Sequence, residues 1–301
     1  MICTAGGPHQ TQGCFWMGEQ TISFVLQVLT MELTEEQLKA AETELQRYLP
    51  QSLEIYAFLV LRNRVKSDPY VVIVDRWPKF SVFVCKARCE QQTDLFKDTM
   101  VFANDGAILM ETIRKASVLD WNRYLCLGSS LPNMEIVKAV ASEKNVPSNI
   151  QAVCHRMMLD DASKLRRVDC SGICLKSLDE SHVDLVTRTW KFARNREVVG
   201  MIRNMARNFP SCCVLDAEGK PVSWILTYVS GAIGVLYTLP EHRGKGYAKV
   251  LISSMAKKFF GHGYPVFCFI EEENLVSYQL FKSMGFSEDP SYRATWSEFN
   301  F

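Results

Sequence analysis

Apolar residues first settle into a regular period just after Met31. Leu38, Ala41, Leu45 and Leu49 return at helical spacing and form one stripe, which predicts a helix stopped by Pro50. Thr34 followed by Gln37 is a capping-box pattern, and Glu35 and Glu36 lie where a helix dipole favours negative charge. From Leu53 the period shortens to two. Leu53, Ile55, Ala57, Leu59 and Leu61 alternate with their neighbours, which predicts a strand. Val71 to Val74 and Ser81 to Cys85 are further β-rich runs on either side of Trp77-Pro78, and helices are predicted around Ile108–Leu119 and Met134–Ser142. From Ser142 to Asp179 no period dominates, and the junction between two halves is expected there.

The second half is more sharply punctuated. Ser181 to Phe192 and Asn195 to Arg207 read as consecutive helices, the latter ending before Pro210. Cys212 to Leu215, Pro221 to Tyr228 and Ile233 to Leu239 read as three antiparallel strands joined by turns at Asp216–Gly219 and Gly231. Gly244 to Phe260 is an amphipathic helix, Pro265 to Ile270 a strand and Leu275 to Ser283 a helix, with one or two closing strands from Phe286. The order is helix, helix, three strands, helix, strand, helix, strand, with no internal repeat.

Composition narrows the possibilities without deciding among them. A chain of 301 residues, 48% hydrophobic and 22% charged, is globular and long enough for two domains. Its 34 basic and 33 acidic residues leave a net charge of +1, so bulk electrostatics favours neither nucleic acid nor an anionic membrane, and any anion must be held locally. Ile22 to Met31 is the one extended apolar stretch near the start. It is far short of the ~20 residues of a membrane span. The first thirty residues contain no Lys or Arg, which suits neither a signal peptide nor an Arg-rich presequence. A disordered or weakly structured extension over 1–30 is expected, with Met31 as an alternative start. The 11 cysteines are an odd number and scattered, which favours reduced, buried thiols. Cys85/Cys89 and Cys170/Cys174 lack the spacing and the regularly placed partners of a zinc site, so no metal is expected.

The candidate chemistry lies in Leu239-Pro240-Glu241-His242-Arg243-Gly244-Lys245-Gly246-Tyr247-Ala248, where a strand runs in and a helix leaves. Two glycines let backbone N–H groups converge, the new helix adds its own unpaired N–H groups and positive dipole end, and Arg243 and Lys245 add charge. That combination predicts a pyrophosphate cradle. The plainer account is an exposed basic turn, and a bare Gly-Lys-Gly would say no more. Here the preceding strand, Pro240 and the long following helix agree on the cradle. Neither the P-loop pattern nor a dinucleotide fingerprint is present.

This segment resembles the coenzyme A loop of the GNAT superfamily, and the element order is similar. From roughly Met31 to Phe286 the chain also resembles the glycine N-acyltransferase family. Asp75-Arg76-Trp77-Pro78-Lys79-Phe80, Trp190-Lys191-Phe192-Ala193-Arg194-Asn195, Phe209-Pro210-Ser211-Cys212-Cys213-Val214-Leu215, Glu218-Gly219-Lys220-Pro221-Val222-Ser223-Trp224 and Thr238-Leu239-Pro240-Glu241-His242-Arg243 carry the likeness. It implies an α/β (α+β) fold: a mixed, mostly antiparallel GNAT sheet flanked by helices over 178–301, preceded by an N-terminal family domain over 31–177. It implies acyl transfer from acyl-CoA, a co-substrate rather than a tightly bound cofactor, to glycine or another small amine. Thr238, Leu239, Arg243, Gly244, Lys245, Gly246, Tyr247, Ala248 and Asn274 are then the expected coenzyme contacts. Mitochondrial residence is expected from the resemblance alone; without it the expectation is cytoplasmic.

Two positions depart from the family's pattern. A glutamate proposed as general base is replaced by Ala232, and the tyrosine that many GNAT enzymes use as proton donor is replaced by Phe281. Glu271, at the end of the strand from Pro265, is the remaining candidate base; its plainer account is a solvated carboxylate beside Glu272 and Glu273. Backbone N–H groups of the strand ending at Leu239 are candidates to polarise the thioester carbonyl. Asn274 also suits a helix N-cap. Trp190, Phe192 and Trp224 are expected in the core, Cys212 and Cys213 in packing, and His242 in an exposed loop. Besides an N-acyltransferase, the pattern fits an acyl-CoA-binding regulator with weak or no catalysis, or a protein or peptide N-acetyltransferase.

Overall fold

The computed structural model describes residues 29–301 apart from 66, 68–69, 89–97, 116 and 194–196. Most of the N-terminal extension, Cys89, and the Arg194-Asn195 end of the family segment lie outside the described residues. The first half comprises β1 (Met31–Glu32), α1 (Glu35–Gln46), α2 (Leu53–Arg62), β2 (Tyr70–Val74), β3 (Val82–Ala87), β4 (Asp98–Ala103), α3 (Gly106–Ile113), β5 (Leu125–Ser130), α4 (Leu131–Glu143) and β6 (Ser148–Leu159). The second comprises β7 (Cys174–Lys176), α5 (Val183–Thr189), α6 (Glu197–Asn208), β8 (Cys212–Leu215), β9 (Pro221–Thr227), β10 (Ile233–Thr238), α7 (Tyr247–Gly261), β11 (Val266–Glu271), α8 (Leu275–Ser283) and β12 (Ser287–Phe299).

Among the described residues the strands form an eight-stranded sheet, β1-β2-β3-β4-β5-β12-β6-β11, and a four-stranded sheet, β10-β9-β8-β7. Only the β4–β5 pair is parallel among the paired strands of the larger sheet. β12 inserts between β5 and β6, so a cut after residue 177 parts β11 and β12 from strands they pair with. α1 and α2 cover one face of β2–β4, and α3 and α4 cover the other. α5 and α6 pack on the smaller sheet. α7 and α8 bury Leu251, Ile252, Met255, Phe259 and Phe281 against strands of both sheets.

α1 starts on the expected box: the Gln37 N–H donates to the Thr34 hydroxyl and the Thr34 N–H to the Gln37 side chain. Leu38, Ala41 and Leu45 are buried, and Leu49 lies beyond the helix, exposed. The expected strand at Leu53–Leu61 is instead a helix, α2. Every residue from Leu53 to Leu61 except Tyr56 is buried, because α2 is wedged among the first-half sheet, the α6 layer and Ala232. A helix buried all round shows no amphipathic stripe, and a chance alternation then reads as a strand.

Candidate active site

The β10–α7 junction has the expected geometry. Between Gly234 and Tyr237 the β10–β9 register slips by one residue, and Val235 takes φ 50°. Such a bulge leaves one residue of β10 outside the ladder. Thr238 is fixed by its hydroxyl against the Ser223 hydroxyl at 2.7 Å, and the Leu239 N–H donates to the Val222 carbonyl. A single 3-10 turn, Pro240–His242, then leads into Gly244 and Gly246, both left-handed at φ 78° and 80°. Gly246 caps α7 without a side-chain hydrogen bond. None of the backbone amides from Gly244 to Ala248 donates to a described residue, so a row of N–H groups faces outward at the positive end of α7. The Arg243 Nε–H donates to the Thr238 carbonyl at 3.1 Å, and its guanidinium lies over Tyr237. Neither Arg243 nor Lys245 has a carboxylate partner among the described residues, which leaves both charges beside the amides. Thr238, Leu239 and Arg243–Ala248 thus converge on one junction, and His242 stands in it half-buried. The Asn274 side chain accepts the Ser277 N–H at 3.1 Å and caps α8.

β10 and β11 are the facing edges of the two sheets. They run side by side without joining in one ladder, which opens a gap beside the junction. A cavity of about 200 Å³ lies on the α2 face of the larger sheet. Its floor includes Cys154, Phe269, Glu271 and Trp296, and its roof includes Glu54 from α2, Tyr228 from the β9–β10 turn, and Trp190 and Phe192 from the α5–α6 connection. Trp190 and Phe192, expected in the core, are therefore half-buried walls of this cavity, while Trp224 is core, fully buried and stacked on Tyr237.

Three carboxylates line the cavity. Glu271 ends β11 and contacts the Lys191 ammonium. Glu298 accepts the Tyr124 hydroxyl at 2.8 Å and a Gln151 amide N–H. Glu54 was hidden in the sequence within a continuous apolar run, yet a charge inside such a run is itself a functional signal. The Cys154 thiol is pushed up to about 12 by burial and by the Glu271 carboxylate, which favours its neutral form near pH 7. Ala232 packs with Leu53, Ala57 and Phe267, and Gly231 brings the β9–β10 turn so close to α2 that a Cβ there would meet the Ala57 Cβ at 2.9 Å. Phe281 is core, edge-on to Phe286.

The described cysteines are free thiols: Cys212 and Cys213 are buried in packing, whereas Cys170 and Cys174 are exposed rather than buried. Among the described residues no group of three or more His, Cys, Asp or Glu could hold a metal, and no helix is long and apolar enough to cross a membrane.

A bulged strand, a glycine turn with open amides at a helix start, and a neighbouring strand splayed away define a GNAT-fold acyltransferase. The chain belongs to the aralkyl acyl-CoA:amino acid N-acyltransferase family, matched over residues 29–210, with an FR47-like match over 213–296. It is 28% identical to a Mus musculus glycine N-acyltransferase-like protein, covering 81% of this chain and 90% of that one. With the Mus musculus glycine N-acyltransferase it shares 27%, over 81% and 90%. An X-ray structure of a Drosophila protein superposes with TM-score 0.74 at 17% identity, covering 90% of this chain and 99% of that one. A tandem GNAT protein from the clavulanic acid biosynthesis pathway gives 0.50 at 14%, over 90% and 97%.

Proposed function

We propose that this enzyme moves an acyl group from acyl-CoA to the amine of glycine or another small amine, giving an N-acyl amino acid and free coenzyme A. The row of open amides from Gly244 to Ala248, beside the gap between β10 and β11, carries this reading. The amides and Arg243 and Lys245 hold the pyrophosphate, the gap takes the pantetheine arm, and the β10 bulge offers backbone N–H to the thioester carbonyl. The aromatic cavity receives the acceptor and excludes water, and a carboxylate of its wall, of which Glu271 is the sequence-derived candidate, takes the amine proton. A thiol-release assay with short-chain, long-chain and aryl-substituted acyl-CoAs, with and without glycine, tests this. Amine-dependent release is expected. Coenzyme binding with no release from any pair would favour the regulator reading, which the buried Ala232 and Phe281 motivate.

A further inference from the structure

An amine acceptor arrives as an ammonium ion and attacks only after losing a proton. At position 232 the structure leaves no room for a base: the Ala232 methyl packs against Leu53 and Ala57 of α2 and against Phe267. The first turn of α2 occupies that space, and the same turn carries Glu54 into the cavity. We propose that Glu54, presented by α2 from the first half of the chain, is the general base of the acyl transfer in place of a carboxylate at position 232. This rests on the acyl transfer proposed above.

Three observations converge on Glu54. It is only 4% exposed and lines the cavity, so its carboxylate meets whatever enters there rather than bulk water. It lies in the first turn of α2, at the positive end of the helix dipole. Finally, the Cys154 thiol on the cavity floor feels both the Glu271 and the Glu54 carboxylates, and all three line the same cavity. Glu271, the alternative, keeps 23% of its side chain open to solvent beside the Lys191 ammonium, and Glu298 is half-buried.

Among the described residues, Cys85 of β3, Cys154 of β6 and Tyr292 of β12 feel the Glu54 charge, and Cys126, Tyr228, Glu271 and Glu298 line its cavity. Burial raises Cys85, Cys154 and Tyr292, so these are neutral near pH 7. Described charged groups around them include the Arg156–Asp289 pair beside Tyr292, Arg62 of α2 near Cys85, and Glu271 and Glu272 with Lys191 near Cys154. In the step itself the Glu54 carboxylate takes one ammonium proton. The freed lone pair bonds to the thioester carbon, the C–S bond breaks, and the surplus nitrogen proton passes to the departing sulfur. Amide and coenzyme A thiol result, and Glu54 returns its proton to water.

The test is Glu54→Gln in the full chain, assayed from pH 6 to 10. The turnover near neutral pH should fall by about 10²–10⁴. KM for acyl-CoA should stay within about twofold, and the rate should climb about tenfold per pH unit where wild type has reached a plateau. Glu271→Gln should change KM for the amine and keep the plateau. Should Glu54→Gln melt below the assay temperature, Glu54→Asp, which keeps the charge but withdraws it by one methylene, should lower turnover at least about tenfold with the plateau retained. A Glu54→Gln enzyme with the wild-type plateau, or a Glu54→Asp enzyme at wild-type rate, overturns the assignment. A wild-type protein that releases no thiol overturns the acyl transfer itself.

Discussion

Gly246 meets two demands with one hydrogen atom. Its φ of 80° is costly for any L side chain, by about 1–2 kcal/mol, and the absence of a side chain keeps the amides beside it open. A Cβ there would touch nothing within 4 Å, so Gly246→Asp should fold with only a modest drop in melting temperature. Its carboxylate would occupy the cradle, and coenzyme A affinity by calorimetry should fall at least about tenfold. Wild-type affinity in a folded variant would place the coenzyme elsewhere. At Ala232 the balance runs the other way. Placing a glutamate there forces a carboxylate into the Leu53, Ala57 and Phe267 contacts, so Ala232→Glu should lose at least about 1–3 kcal/mol of stability from overpacking and gain no rate. An Ala232→Glu protein faster than wild type with an unchanged melt would refute this. Asp289 carries a pH signature. Burial pushes its carboxyl up, but hydrogen bonds from Ser291 and the buried Arg156 outweigh this and hold it below the usual range. Its stabilisation is therefore complete above the ordinary carboxylate pKa and lost as pH falls through the lowered value. Arg156→Met should cost about 3–5 kcal/mol in urea unfolding at pH 7, and the gap from wild type should narrow in acid as Asp289 protonates. A gap independent of pH would mean that Arg156 acts by packing alone.

At the scale of elements, legibility followed punctuation. α8 coincides with its expected bounds, and β8, β9 and β10 with theirs to within a residue, because glycines, prolines and caps fence each of them. The strand–turn–helix junction was legible for the same reason, since Pro240, Gly244 and Gly246 are local signals. What depends on distant partners was not. β6 has exposed and half-buried residues along its first half, where it pairs with β12 from the far end of the chain, and so shows no clean alternation. β4 and β5 also went unpredicted, and β4 begins next to residues outside the described set. α2 lost its period to burial on all sides, which hid Glu54 as well. The α5–α6 connection was expected to be the end of a helix and core. Instead Trp190 and Phe192 meet edge to face at 5.5 Å over the cavity. Trp190→Ala should therefore act on substrate choice. Removing the wall should shift the ratio of kcat/KM between a bulky and a small amine by about 1–3 kcal/mol, tenfold or more, toward the bulky one. An unchanged ratio across an amine series would return Trp190 to the core.

For the molecule as a whole, β12 is the strand on which the two halves depend. It pairs on one side with β5, from Ala294 opposite Ser130 to Phe299 opposite Leu125, and on the other with β6, from Ser287 to Phe299. Its side chains serve both halves: Phe299 is buried in the α3–α4 core edge-on to Trp121, and Trp296 stacks edge-on to Phe269 in the cavity floor. Deleting 287–301 would therefore do more than trim an end. β5 and β6 would each expose a row of unpaired N–H and C=O groups, and the cavity would lose one wall. If the sheet were two independent units, the first half would survive with its own transition while the second failed. Because the shared strand couples them, full-length protein should unfold in urea in one transition, with intrinsic fluorescence and far-ultraviolet dichroism coincident. The truncated chain should lose the sharp near-ultraviolet dichroism of its packed tryptophans, including Trp121, which lies 166 positions before the first deleted residue. A truncated chain that keeps the Trp121 environment and a cooperative melt within a few degrees of wild type would show that the first half stands alone and that β12 only decorates it.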